Sequence, residues 1–397
     1  MSFPYTKRYL FETELADVLK NFPVAAILGP RQCGKSTLAR HILSKRKKTI
    51  YLDAEKPSDV KKLQEPELFF QLHRNELICI DEIQHLPDIF KVLRSVIDER
   101  GTNGQFLLLG SASPELLRQS SETLAGRIVY LELSPFLFQE IKNKKSVATH
   151  FAETEVTKYW MRGGFPRSFL ATDEANSIKW RKNFIKTFLE KDIPQLGINI
   201  PAATLQRLWT ICAHHHGQLI NTSQFGGSLG LSHTTIRHYL ELLSQTFVIR
   251  ILPPYYANIK KRIVKTPKIY IRDSGLLHSL LSIETMDDLM GHPIFGFSWE
   301  GMVVENILAM MRSWEAGFYR TATGVEIDLV LTKGRKKIAV ECKASPAPEI
   351  TKGFWLAMDD IKPTEAWVIA PVNEVYPLKK NVTVAPLEYF LNYCSKL

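Results

Sequence analysis

The stretch Gly29-Pro30-Arg31-Gln32-Cys33-Gly34-Lys35-Ser36 fits G-x-x-x-x-G-K-[ST], a phosphate-binding loop. Its chemistry follows from the residue types. The two glycines let the backbone turn so that its N–H groups point at phosphate oxygens. Lys35 is expected to reach the β- and γ-phosphates of a nucleotide, and the Ser36 hydroxyl to bind Mg²⁺. The expected nucleotide contacts run from Gly29 through Ser36 to Thr37. A second stretch, Leu77-Ile78-Cys79-Ile80-Asp81-Glu82, is four apolar residues followed by two carboxylates. It reads as a buried parallel strand that delivers Asp81 to its C-terminal end. There Asp81 can hold the water shell of Mg²⁺. Glu82, next along, is placed to orient and deprotonate an attacking water. The implied ligands are ATP and Mg²⁺, and the implied reaction is hydrolysis.

The elements that must position these groups are legible around them. Val24–Leu28 is a short apolar run before the loop, and Thr37–Leu43 has helical spacing after it. Strands are expected near 24–29, 49–53, 77–81, 105–110 and 128–133. Helices are expected near 35–45, 57–73 and 87–100. Such alternation argues a parallel sheet covered on both faces. The strand near 105–110 leads to Ser111, the position of a polar sensor if this strand lies between the other two. Arg127 precedes the last strand. It could meet a γ-phosphate in its own or a neighbouring subunit, or form a surface ion pair.

A chain of 397 residues with 45% apolar and 23% charged residues suits two or three folded domains. A net charge of +10 favours an anionic partner, usually nucleic acid, and Lys45–Lys48, Lys260–Arg262 and Arg335–Lys337 are local basic runs. The five cysteines are dispersed, without C-x-x-C, which argues against a disulfide framework or a zinc site. His214-His215-His216 reads as a helix end rather than a metal cage, because adjacent helical residues point apart. The first 20 residues lack a signal peptide's apolar core, and no stretch approaches the roughly 20 apolar residues that span a bilayer. The expectation is a cytoplasmic protein without a membrane partner.

The motifs GPRQCGKSTLAR, LICIDEIQ, LLLGSAS, LAGRI and Leu133-Ser134-Pro135-Phe136 resemble the AAA-type ATPases of bacteria and archaea that carry a conserved C-terminal domain of unknown function. The resemblance covers nearly the whole chain. It implies an ATPase core over 1–134 and a helical lid over 135–202, and it makes a homo-oligomer with sites completed between subunits an expectation. Met161-Arg162-Gly163-Gly164-Phe165-Pro166 recurs in that family. Arg162 or Arg167 beside its glycine turn is a candidate nucleotide sensor.

Residues 203–254 read as a winged helix-turn-helix: two helices, a third capped by Ser232 with Ile236, Leu240 and Leu243 on one face, then a strand. His233, Thr235, Arg237 and His238 fall early on that third helix, where DNA-binding versions contact bases. Residues 255–290 connect, and Tyr255–Arg262 interleaves aromatic and basic residues, which suits a single-strand contact surface or equally a hairpin. In 291–397 the order helix, three strands, helix, strand carries Asp328, Glu341 and Lys343. Glu341 and Lys343, two apart, share a strand face. This D…ExK pattern resembles the PD-(D/E)xK nuclease fold, a restriction-endonuclease-like α/β domain. The resemblance implies Mg²⁺ on Asp328 and Glu341, water activation by Lys343, and Glu305 completing the site from its helix. Similar folds also serve as inactive binding modules, so DNA cleavage and cleavage-free binding both stay open.

Overall fold

The computed structural model describes residues 5–110, 123–141, 154–195, 200–256 and 262–397. The chain divides into two compact units, 1–136 with 245–247, and 137–244 with 248–397.

The first unit is a five-stranded parallel sheet. Its strands are β1 (Val24–Leu28), β2 (Thr49–Asp53), β3 (Leu77–Asp81), β4 (Phe106–Gly110) and β5 (Ile128–Glu132), in the order β2-β3-β4-β1-β5. Strands buried on both faces read as continuous apolar runs, which explains VAAIL, LICID and FLLLG. Alternation sorts their side chains between two cores. Val24, Ala26, Ile78, Ile80, Phe106 and Leu108 face one layer, which includes Phe70, Phe90 and Leu93 from the helices Pro66–Leu72 and Ile89–Arg100. Ala25, Ile27, Cys79, Leu107 and Leu109 face the other, which holds Phe11, Leu15 and Leu38 from Tyr9–Asn21 and Lys35–Ser44. β4 lies between β1 and β3, as the sensor argument expects. Ser111 itself lies outside the described residues.

The second unit opens with the short helix Phe138–Ile141, and its first longer helices are Glu155–Arg162 and Glu174–Thr187. The segment expected to be a lid is thus built into this unit. Trp160 is fully buried, and its indole N–H donates to Ser298 Oγ at 2.8 Å. The glycine turn is structural. A Cβ on Gly163, whose φ is +72°, would meet Asp273 Oδ1 at 2.1 Å. Asp273 accepts from Gly164 N at 2.7 Å and caps the helix Ser274–Leu280 through Leu276 N. Arg162 is paired with Glu174 at 2.6 Å and donates to the Ala171 carbonyl, so it stabilises the turn; this corrects the sensor expectation for that residue.

Next come helices Ala202–His214, Thr222–Leu229 and His233–Gln245, with strands β6 (Gln218–Leu219), β7 (Ile249–Leu252) and β8 (Lys268–Ile271) in an antiparallel sheet ordered β6-β8-β7. Ser232 Oγ accepts from Thr235 N, and Ile236, Leu240 and Leu243 are buried, as the spacing requires. His216 is buried and accepts from Ile271 N through Nδ1; desolvation pushes its pKa down to about 3, which makes it a neutral core residue.

The last part is a six-stranded mixed sheet of β9 (Glu315–Arg320), β10 (Glu326–Lys333), β11 (Lys336–Cys342), β12 (Glu365–Ile369), β13 (Tyr376–Lys379) and β14 (Val382–Ala385), ordered β13-β14-β12-β11-β10-β9. The helix Lys352–Ile361 packs Phe354, Ala357 and Ile361 into one core of this sheet, and Phe295–Met310 packs against β11. The expected helix, strand and helix order is present, with two further strands and a terminal helix, Leu387–Cys394, beyond it.

Candidate functional site

The turn after β1 is shaped for close approach. A Cβ on Gly29 would lie 2.2 Å from the Leu133 carbonyl oxygen, and Gly34 has φ +105° at the N-cap of Lys35–Ser44. The first amides of that helix, at Lys35, Ser36 and Thr37, therefore start from the loop. Cys33 is buried beneath it, with Sγ donating to Leu133 O at 3.4 Å. The Lys35 ammonium donates to the carbonyls of Gly29 and Pro30 at 3.0 and 2.9 Å. A phosphate is a stronger partner for that ammonium than neutral carbonyls. Arg31 and Gln32 complete the turn, with Gln32 in the left-handed region at φ 60°. These residues fit a nucleotide's phosphates: a glycine where a Cβ would clash, a second at positive φ, a helix N-terminus, and a lysine already aimed over the loop.

Asp81 ends β3, at the same edge of the parallel sheet as the loop that ends β1. It is buried, and its Oδ1 accepts from Glu82 N at 3.0 Å. Tyr51 on β2 donates its phenol to Oδ2, with the Arg40 guanidinium 4.6 Å over the ring. Tyr51 carries no motif; pairing of β2 with β3 brings it there. Glu82 has φ 52°, a left-handed conformation uncommon outside glycine and often found where function fixes the backbone. The Gln84 amide donates to Glu82 Oε2.

Arg127 lies elsewhere. Its carbonyl accepts from Val24 N at the start of β1, so it stands at the sheet edge opposite the phosphate loop. Five strand residues at ~3.3 Å each put roughly 16 Å between the two edges. Its guanidinium is held by Asp98 at 2.6 and 2.9 Å. Action on its own subunit's phosphates is thereby corrected; an ion pair, or a neighbour's site, is what the position allows.

The second unit holds a cleft of 1510 Å³ that reaches from Arg237 on the third helix to Asp328 and Glu341 on β10 and β11. Leu329 pairs with Val340, and one step further along that register Asp328 stands opposite Glu341. Asp328 Oδ2 accepts from Cys342 N at 2.8 Å, and Lys343 pairs with Glu341 Oε1 at 2.8 Å. The predicted trio therefore converges. Desolvation, then the Asp328 charge, pushes the Glu341 pKa up to about 8.

The helix residue at this cluster is Glu300, not Glu305. Five helical residues turn through about 140°, so the two carboxylates leave the helix on different faces. Glu305 is gripped by Arg250 and Arg272, the latter at 3.0 Å, and this corrects its expected role as a metal ligand. Glu300 instead meets Lys268, which sequence reasoning missed. The Lys268 ammonium, only 1% exposed, lies 2.9 Å from Glu300, 2.6 Å from Glu326 and 3.7 Å from Asp328. Burial alone would lower its pKa, but the surrounding carboxylates raise it well above the usual lysine value. A cation thus already sits beside Asp328, one of the two carboxylates expected to hold Mg²⁺, so a divalent ion there would have to share the cluster with an ammonium. Among the described residues no group of three or more His, Cys, Asp or Glu is arranged to hold a metal.

The expected basic runs are partly consumed by the fold. Lys336 pairs with Glu365, Lys337 donates to the Ile361 carbonyl, and Lys45 pairs with Glu12. Residues 257–261, with Lys260 and Lys261, lie outside the described residues. His233, Arg237 and His238 are exposed. All five cysteines are free and buried, and no described helix is long and apolar enough to cross a membrane.

A parallel sheet with a glycine-lysine loop and an Asp-Glu strand end defines an AAA-type P-loop ATPase domain. Residues 21–142 match the family described as AAA domain, 153–287 a domain of unknown function (DUF8612), and 295–390 another (DUF4143). The uncharacterized protein Rv2008c of Mycobacterium tuberculosis is 38% identical over 95% of this chain and 83% of its own length, and the chain belongs to the same family. An uncharacterized protein of Haemophilus influenzae is 24% identical, over 64% of this chain and 68% of its own. The Walker-type ATPase of Pyrococcus abyssi is similar at TM-score 0.49 and 16% identity, covering 70% of this chain and 96% of that one. The Thermotoga maritima RuvB Holliday junction branch migration motor scores 0.34 at 22% identity, covering 62% and 90%.

Proposed function

We propose that this chain is a cytoplasmic, Mg²⁺-dependent ATPase that acts on DNA. The observation that carries the reading is the shared sheet edge of the Gly29–Ser36 loop and the Asp81-Glu82 pair, with Lys35 aimed over the loop. Lys35 and the loop amides hold the phosphates, Ser36 and Asp81 hold the ion, and Glu82 takes a proton from water. When bound, Mg²⁺ supplies charge neutralisation at the phosphates. DNA is supported by the net charge of +10 and by the helix order and β6-β8-β7 sheet of 202–271, which suit a winged helix with His233, Arg237 and His238 exposed.

The test is ATP turnover with and without DNA, alongside DNA affinity across a salt series. DNA is expected to raise turnover. With six or more phosphates neutralised, affinity is expected to fall by about 10³ or more between roughly 50 and 200 mM salt. A flat salt response would reject the DNA reading and leave the ATPase reading standing.

Arg127 acts in this reading on a neighbouring subunit. Arg127→Ala and Lys35→Ala proteins, each slow alone, are expected to regain turnover when mixed, because each supplies what the other lacks. Mixtures no faster than their components would leave Arg127 as the partner of Asp98 and nothing more.

Cleavage by Asp328, Glu341 and Lys343 is supported by the two carboxylates lining one cleft and by the lysine paired with Glu341. The second reading, a nucleotide-dependent switch that binds DNA without cutting it, is favoured by Lys268 inside the same cluster.

A further inference from the structure

Three elements distant in sequence meet at one ammonium. Lys268 comes from β8, Glu300 from the helix Phe295–Met310, and Glu326 and Asp328 from β10. Glu341, from β11, lines the same cleft. Four carboxylates are present. Three cations answer them: Lys268, Arg320 at 2.8 Å from Glu326, and Lys343 at 2.8 Å from Glu341. Tyr270 adds a hydrogen bond to Glu300 at 2.5 Å. Most of the oxygens are therefore committed. Asp328 Oδ2 takes the Cys342 amide, and Glu341 Oε1 takes Lys343. Asp328 Oδ1 lies 3.7 Å from Lys268, and Glu341 Oε2 is buried without a hydrogen-bond partner.

We propose that Lys268 is the resident cation of this cluster, so that the cleft works without a divalent ion and gains a divalent-cation site only when that ammonium is removed. Asp328 Oδ1, held only by the 3.7 Å approach of Lys268, and the unpartnered Glu341 Oε2 are the ligands such an ion would use. Magnesium and manganese accept one or two carboxylates with waters completing the shell. An ion held there would lie beside Lys268 and Lys343, and like charges at such distances repel strongly where water is scarce. With Lys268 gone, the carboxylates it held would repel each other unless a cation lay between them. An ammonium fixed on a strand also differs from a metal ion in chemistry. It donates hydrogen bonds but has no open coordination position for a phosphate oxygen or an activated water. The inference deepens the cleavage-free reading and is independent of ATP hydrolysis.

The experiment is a Mn²⁺ titration of the nucleotide-free full chain, followed by electron paramagnetic resonance and by thermal unfolding. Wild type and Asp328→Asn are expected to bind Mn²⁺ alike. Because Lys268→Met alone leaves several buried carboxylates uncompensated, it is combined with Glu300→Gln. The double variant is expected to gain one Mn²⁺ site at least about tenfold tighter than any in wild type, with a raised Tm in Mn²⁺, and to lose both when Asp328→Asn is added. A wild-type Mn²⁺ site abolished by Asp328→Asn would overturn the proposal. So would a folded double variant that gains no site. If the double variant does not fold, the wild-type comparison alone decides. DNA binding by wild type is expected to need no divalent ion and to persist in EDTA. If DNA does not bind at all, the DNA reading fails while the Mn²⁺ titration still judges Lys268.

Discussion

Glu82→Gln is expected to lower ATP turnover by about 10²–10⁴ while nucleotide affinity stays close to that of wild type. The substitution keeps size and shape, and the new amide oxygen can still accept from Gln84. The Lys35 loop is untouched, so the phosphates keep their donors. What is lost is basicity: an amide cannot take a proton from the attacking water. Phosphate release measures turnover, and a fluorescent nucleotide analogue measures affinity. Turnover near the wild-type rate would remove Glu82 from the reaction. Loss of affinity together with turnover would mean that the left-handed turn at Glu82 mainly shapes the pocket.

Glu305→Ala is expected to destabilise the second unit by about 3–5 kcal/mol, the scale for breaking a buried ion pair by removing one partner. The carboxylate bridges Arg250 and Arg272, and all three are largely buried. Without it the two guanidinium groups lose the carboxylate that joins them. All seven tryptophans lie at or beyond residue 160, so their fluorescence in a urea titration follows this unit alone. A midpoint within error of wild type would contradict the bridging role. Were Glu305 a metal ligand instead, Mn²⁺ would stabilise wild type and the variant would abolish that gain.

The nucleotide loop and the Asp-Glu pair were legible because each is contiguous and flanked by its own strand and helix. The third helix of 202–245 was legible for a related reason: Ile236, Leu240 and Leu243 recur at helical spacing and are all buried. Glu300 and Glu305 could not be told apart in the same way. Residues Ser298 through Ile307 are buried without a break, so no polar face fixes the helix's rotation. Lys268 is 32 residues from Glu300 and pairs with it only through the folded arrangement of β8 and the helix. Tyr51 reaches Asp81 through sheet pairing, 30 residues apart. Spacing rules see neighbours along a helix or strand, and neither contact is of that kind. For Arg127 the spacing left three roles open, and its place before β5, at the edge where the parallel strands begin, narrows them to the Asp98 ion pair or a neighbour's site.

The helix Phe295–Met310 has partners on the other side of the boundary drawn near residue 290. Ser298 takes the Trp160 indole, and Glu300 and Glu305 hold Lys268 and Arg272. His216 closes against Gly301, where even a methyl group would collide at 2.0 Å, and Asn306 accepts from the Phe138 amide. The exposed stretch around Met290 and Gly291 is therefore a place where the chain can be nicked but not taken apart. After limited proteolysis there, the two fragments would stay together on a sizing column in native buffer and separate only in denaturant. A fragment beginning at 291 would carry two unpaired acidic side chains and a bare apolar helix face into water. Dissecting this protein by its sequence boundaries would thus uncover an apolar helix face that the intact chain keeps covered.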